Sequence, residues 1–181
     1  MRFEETPLAG AYRVWPEPMA DARGFFARTA CADEFAAHGL VGAFAQSSVS
    51  FNARRGTVRG MHFSASPHAE TKLVRCTAGA IHDVIVDLRP DSASYLKSFA
   101  AELTADNRCA LYIPAGFAHG FQALSDAAEV LYMIDRAYVA GSARGLRWTD
   151  PALDVTWPEP VTVIAERDLA YPDFAGPDWS A

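Results

Sequence analysis

The sequence predicts an all-β fold of sandwich or barrel type. From about residue 40 onward, the chain is a succession of short runs rich in β-branched and aromatic residues. Turn formers such as "ADN", "PAG" and "SDA" separate these runs at close spacing. Almost no segment carries the apolar period of a long helix, so short strands must cover one another.

Taken in order, the first periodic segment is the exception. "ADEFAAHG", residues 32–39, reads as a helix ended by Gly39. "TVRGMHF", residues 57–63, reads as a strand. Simple alternation would set Arg59 and Met61 on one face, with Gly60 and His62 on the other. "KLVRCTAGAIHDVIVDLRP", residues 72–90, reads as two strands joined at Gly79, the second almost continuously apolar. "SFAAELT", "ALYIPAG", "HGFQALS" and "EVLYMIDRAYV" follow as further strands. After Trp148 the chain becomes Pro-rich and irregular, as a tail laid over a barrel would. No repeat, low-complexity segment or boundary interrupts it, so residues 1–181 are expected to form one domain.

Composition excludes several function classes. Half the residues are hydrophobic and 21% are charged, as in a compact folded protein. A net charge of −6 argues against a nucleic-acid partner, although a local Arg/Lys pocket could still take a small anion. No apolar run approaches the ~20 residues of a membrane span, and the start lacks a secretory h-region. Cys31, Cys76 and Cys109 are odd in number and lack CxxC spacing, which argues against a disulfide framework or zinc knuckle. A cytoplasmic protein with no membrane partner is expected.

Three histidines, His62, His82 and His119, lie inside apolar strand-like segments. A lone histidine of this kind is more often a satisfied core residue than a site residue. Metal sites in small barrels draw on a closely spaced histidine pair plus a carboxylate, and this chain has no His-x-His, so no metal is expected. A metal-free site needs a base, an acid and an anion stabiliser. His62 has the chemistry of a base, Lys72 could stabilise developing negative charge, and Tyr132 could donate a proton. Arg23, Arg59 and Arg144 each adjoin a glycine, as expected where backbone approaches a phosphate.

The motifs "DARGFFART", "RGMHF", "KLVRCTAGAIHDVIVDLRPDS", "IPAGFAHGF", "EVLYMIDRAY" and "ARGLRWTDPAL" occur in the order and spacing of a known family. From about residue 3 to "IAERDLAYP" at about residue 172, the chain resembles the dTDP-4-dehydrorhamnose 3,5-epimerases. The resemblance implies a cupin-type jelly roll that uses neither metal nor redox cofactor. It also implies a homodimer with exchanged N-terminal strands. The implied reaction is inversion at C3 and/or C5 of a dTDP-linked 4-keto-6-deoxyhexose through an enolate.

The matching residues assign His62 as base, Asp168 as its orienter, Lys72 as enolate stabiliser and Tyr132 as acid. Arg59 would contact the diphosphate and His119 would be a further site histidine. Arg23 and Phe25 would reach the partner's site, and Tyr138 would lie near the base of the nucleotide. Gln46, Ser48 and Arg144 complete the expected binding set. Two departures bear on recognition: Ser64 replaces the glutamine of the family's "RGLHYQ", and Gln46-Ser47-Ser48 replaces its "QDN". Inversion at a single carbon, 3,4-ketoisomerisation and non-catalytic sugar-nucleotide binding are the competing readings.

Overall fold

The computed structural model describes residues 1–176. Its strands are β1 (Arg2–Glu5), β2 (Tyr12–Trp15), β3 (Met19–Asp21), β4 (Gly24–Phe26), β5 (Gln46–Asn52), β6 (Thr57–Ser64) and β7 (Lys72–Ala78). They continue as β8 (Ala80–Asp87), β9 (Ser98–Thr104), β10 (Ala110–Ile113), β11 (Phe117–Ala123), β12 (Ala128–Ile134), β13 (Ala143–Gly145) and β14 (Val163–Ile164). Helix α1 (Ala32–Ala37) precedes β5, and α2 (Glu166–Leu169) follows β14.

One sheet has the order β1-β2-β10-β7-β12-β5, and the other β13-β6-β11-β8-β9. Strand β14 adds parallel to β6, whereas the other ladders are antiparallel. Val74, Leu111 and Val130 of the first sheet pack against Ile81, Ile85, Leu103 and Phe121 of the second. This is the predicted all-β jelly roll. Hairpin β3–β4 stands apart, with Met19, Phe25 and Phe26 all exposed.

The nearly continuous apolar content of β8 has a direct cause, since both of its faces are covered. Ile81 and Ile85 face the intersheet core. Val84 and Val86 face a second core with Met61, Leu146, Leu153 and Trp157, so the Pro-rich tail does lie over the barrel. Helix α1 buries Phe35 among Phe3, Phe44 and Tyr112. Gly39, with φ +70°, ends it by turning Leu40 N–H back to the Phe35 carbonyl. The short strands before residue 40 carry little periodic signal, because prolines 16 and 18 interrupt them. Among the described residues, no helix is long and apolar enough to cross a membrane.

Buried polar groups are matched locally. Asp87 accepts hydrogen bonds from Arg89, Ser92 and Ser94. Burial pushes its carboxyl up, but these donors outweigh it and hold the group down at about 2. Cys76 and Cys109 are free thiols that burial pushes up to about 11 and about 12, which keeps them unreactive.

Strand β6 departs from simple alternation. His62 pairs with His119 of β11, yet Arg59 pairs with Phe121, so β6 uses three steps where β11 uses two. This bulge turns Arg59 and His62 to the same cavity and sends Met61 into the second core, overturning the face assignment expected above. Two facing glycines permit it. Gly60 has φ +133°, and a Cβ there would lie 2.5 Å from Gly120 Cα. A Cβ on Gly120 would lie 2.7 Å from Met61 Sδ and 2.9 Å from the Arg59 carbonyl oxygen. Gly120→Ala is therefore expected to destabilise the fold by about 2 kcal/mol or more in denaturant titration, because the clash is largely with backbone. Wild-type stability in that variant would show that the two strands can separate without consequence.

Candidate active site

A cavity of about 280 Å³ opens between the two sheets. Arg59 and His62 of β6, with His119 and Phe121 of β11, form one wall. Lys72 of β7, Tyr132 and Ile134 of β12, and Ser48 to Ser50 of β5 form the other, and Arg167 of α2 sits at the rim.

His62 Nε2 lies 2.8 Å from Asp168 Oδ1. The parallel pairing of β14 with Thr57 and Val58 delivers α2 alongside β6, so Asp168 reaches His62 across 106 positions of sequence. Its second oxygen accepts the Gly60 N–H at 3.2 Å, and Arg167 Nε donates to Oδ1 at 3.4 Å. Burial pushes the Asp168 carboxyl up. The hydrogen bond from His62, with the Gly60 N–H and Arg167, outweighs burial and holds it below the usual range. A carboxylate only accepts, so Nε2 carries the hydrogen and Nδ1 is left with the lone pair. The Tyr171 ring meets the His62 ring edge-on at 5.8 Å. It lies over Gly145, where a Cβ would come within 2.2 Å of the ring.

Tyr132 faces this histidine from the opposite sheet. Burial raises its pKa, the Asp83 carboxyl adds to the rise and Arg59 opposes it, so the hydroxyl keeps its proton. Lys72 Nζ lies 3.2 Å from Glu70 Oε1, and both side chains are largely enclosed. Arg59 is held by neutral acceptors: Asn52 Oδ1 at 2.8 Å and the Phe51 carbonyl at 3.2 Å. Its positive charge is thus anchored without being neutralised, which suits an anionic ligand. His119 Nε2 lies 2.8 Å from Asp83 Oδ1, and both residues are buried.

Of the residues singled out in the sequence, His62, Lys72, Arg59, Ser48, His119 and Tyr132 meet at the cavity, with Asp168 behind His62. Five others do not line it within one chain. Arg23 pairs with Asp21 at 2.6 Å on the exposed hairpin, and Phe25 lies under the Arg108 guanidinium. Gln46 donates to the Arg136 carbonyl, and Arg144 to that of Gly141. Tyr138 is 75% exposed. His82 is not at the cavity; it packs edge-on to Trp157 on the outer face, and burial lowers its pKa. Glu70 and Asn52 lay outside the quoted motifs, and Asp83 lay within "KLVRCTAGAIHDVIVDLRPDS" with nothing to single it out, whereas Arg167 stood beside Asp168 in "AERD". Among the described residues, no three His, Cys, Asp or Glu side chains converge as metal ligands.

Residues 5–176 match the family model described as dTDP-4-dehydrorhamnose 3,5-epimerase. The enzyme of that name from Sinorhizobium fredii is 39% identical over 175 residues, covering 96% of this chain and 90% of the relative. A dTDP-4-dehydrorhamnose 3-epimerase from Streptomyces niveus is 36% identical, covering 93% of this chain and 81% of the relative. The crystal structure of the Bacillus anthracis dTDP-4-dehydrorhamnose 3,5-epimerase, with TDP and PPi bound, aligns with a TM-score of 0.91 at 37% identity. That alignment covers 96% of this chain and 99% of the other.

Proposed function

The chain belongs to the dTDP-4-dehydrorhamnose 3,5-epimerase family, and we propose that it inverts C3 and C5 of a dTDP-linked 4-keto-6-deoxyhexose. The observation that carries this reading is one cavity with a carboxylate-backed histidine on one sheet and a protonated tyrosine on the other.

The C4 ketone acidifies the protons on C3 and C5. The lone pair on His62 Nδ1 takes one of them, and the C–H electrons move into the carbonyl to form an enolate. Lys72 stabilises the developing charge in an enclosed site. Tyr132 then gives its proton to the same carbon from the opposite face, which inverts the centre. Water removes the proton from His62 and restores that of Tyr132, so the cycle consumes nothing. Arg59, anchored by neutral groups, takes the diphosphate, and Arg167 adds positive charge at the rim.

In deuterated water, His62→Ala should abolish exchange of the C3 and C5 protons, whereas Tyr132→Phe should keep exchange and slow product formation. NMR of the sugar reads both. Exchange at the wild-type rate without His62 would sink the base assignment. Label at C3 alone in the wild type would make the chain a single-centre epimerase, and migration of the carbonyl would make it a ketoisomerase.

Arg59→Ala should weaken TDP binding by about 1.5–3 kcal/mol in calorimetry, the loss of a charge-assisted hydrogen bond to phosphate. Unchanged affinity would reduce Arg59 to a structural tie between β5 and β6.

The same reading includes a homodimer that exchanges its N-terminal strands. In support, Met19, Phe25 and Phe26 on hairpin β3–β4 are exposed, and so are Val49 and Phe51 on β5, the edge strand beside the cavity. Arg23 and Phe25, absent from their own chain's cavity, would then serve the partner's. Phe26→Ser should shift sedimentation toward the monomer and lower activity. A wild-type monomer at micromolar concentration would refute the dimer.

A further inference from the structure

We infer that Tyr171 is a positioning residue: its ring holds the His62 imidazole in line with Asp168, and the tail that carries it is a strap across the flank of the base. The inference rests on His62 being the base in the epimerase reading above.

Strand pairing leaves one side of His62 without a side-chain neighbour. His62 is paired with His119 of β11 on one side and with Gly145 of β13 on the other. Paired residues of antiparallel strands project to the same face, so a side chain at position 145 would stand beside the imidazole. Glycine supplies none, and the Tyr171 ring takes the place. A Cβ on Gly145 would lie 2.2 to 2.4 Å from three of the ring carbons. Gly145 is not among the glycines with positive φ, so its fitness here lies in the room it leaves for the ring.

The ring is held from both ends. Just before it, α2 sets Asp168 on His62 Nε2. Just after it, the Arg147 N–H donates to the Pro172 carbonyl at 2.9 Å, and the Arg147 guanidinium donates to Asp173 at 2.6 Å. Asp150 then accepts the Phe174 N–H, and Phe174 meets Tyr95 edge-on. One segment therefore brings a carboxylate to one nitrogen of the base and an aromatic ring to its flank. The two contacts act differently. A single hydrogen bond fixes one atom and tolerates a range of ring tilt. A second ring at 5.8 Å, inclined at 73°, restricts that tilt. Tilt sets where the Nδ1 lone pair points, and proton abstraction from carbon needs that alignment.

Exchange of the substrate's C3 and C5 protons in deuterated water, with calorimetric TDP affinity alongside, tests this. Tyr171→Ala should slow exchange about tenfold to a hundredfold, the cost of a misaligned base, while TDP affinity stays within about twofold. Tyr171→Phe keeps the ring and should exchange within about threefold of wild type. Gly145→Ala displaces the ring without removing it and should match the loss in Tyr171→Ala. Combining the two should cost no more than either alone, because both remove one contact. Proton NMR of the free protein gives a readout without sugar. The downfield Nε2–H signal of His62, assigned by its absence in His62→Asn, should persist in Tyr171→Phe. It should broaden in Tyr171→Ala as water reaches the opened flank. Wild-type exchange or an unchanged N–H signal in Tyr171→Ala overturns the inference, and so do additive losses in the double variant. A phenylalanine variant as impaired as the alanine one also overturns it, since the hydroxyl would then be the working group. A wild-type protein that exchanges no sugar protons fails the epimerase reading instead, with the N–H signal still reporting on the strap.

Discussion

The site depends on one close approach of backbone, where Gly60 of β6 meets Gly120 of β11. Neither position can carry a side chain without meeting the other strand, so the two strands come together at a point that any Cβ would keep apart. The bulge this allows places Arg59 and His62 on the same side of β6. It also offers the Gly60 N–H to Asp168, which fixes the carboxylate that fixes the histidine. Arg59, His62 and Asp168 thus share one local distortion. They could not be tuned independently by changing side chains alone.

That distortion also shows what could be read from the sequence and what could not. Strands β6 to β12 were legible, because hydrophobic runs and turn residues mark them, and "ADEFAAHG" was marked as a helix by its composition and Gly39; β13 and β14, three and two residues long, were not. Strands β1 to β4 were not, since three or four residues between prolines and glycines carry no period. His62, Lys72 and Tyr132 were legible as chemistry because each is an unusual residue in an apolar strand. The shared face of Arg59 and His62 was not legible, because a bulge has no composition of its own. It appears only when Gly60 is set beside a glycine 60 positions later. Asp83 was hidden for a related reason: within "AIHDVIVD", nothing separates an inward aspartate with a partner from an ordinary strand carboxylate until β11 is laid alongside.

The electrostatics of the cavity follow from how each charge is compensated, more than from how many charges there are. Lys72, His62 and His119 each have a carboxylate within reach, while Arg59 is held by an amide and a carbonyl. A cation anchored by neutral groups keeps its attraction for an incoming anion. A cation already paired keeps its position but contributes less net charge. The Arg59 side of the cavity therefore differs in kind from the side lined by Lys72, His62 and His119, although both carry basic side chains. An acidic protein can hold a diphosphate this way without a generally basic surface.

Two sheets facing one another also settle which stereochemistry is easy. A base and an acid on the same strand would address one face of a sugar ring, and a proton removed there would return there. His62 on β6 and Tyr132 on β12 belong to different sheets and reach the cavity from opposite walls. Burial supports this division by keeping the tyrosine protonated, so it cannot readily compete as a base. Asp168 supports it from the other side, by fixing the hydrogen on Nε2 and leaving Nδ1 as the acceptor. Here β5 offers the small side chains of Ser48 and Ser50. On the same edge strand Val49 and Phe51 are exposed, so this wall of the cavity is open where the others are packed.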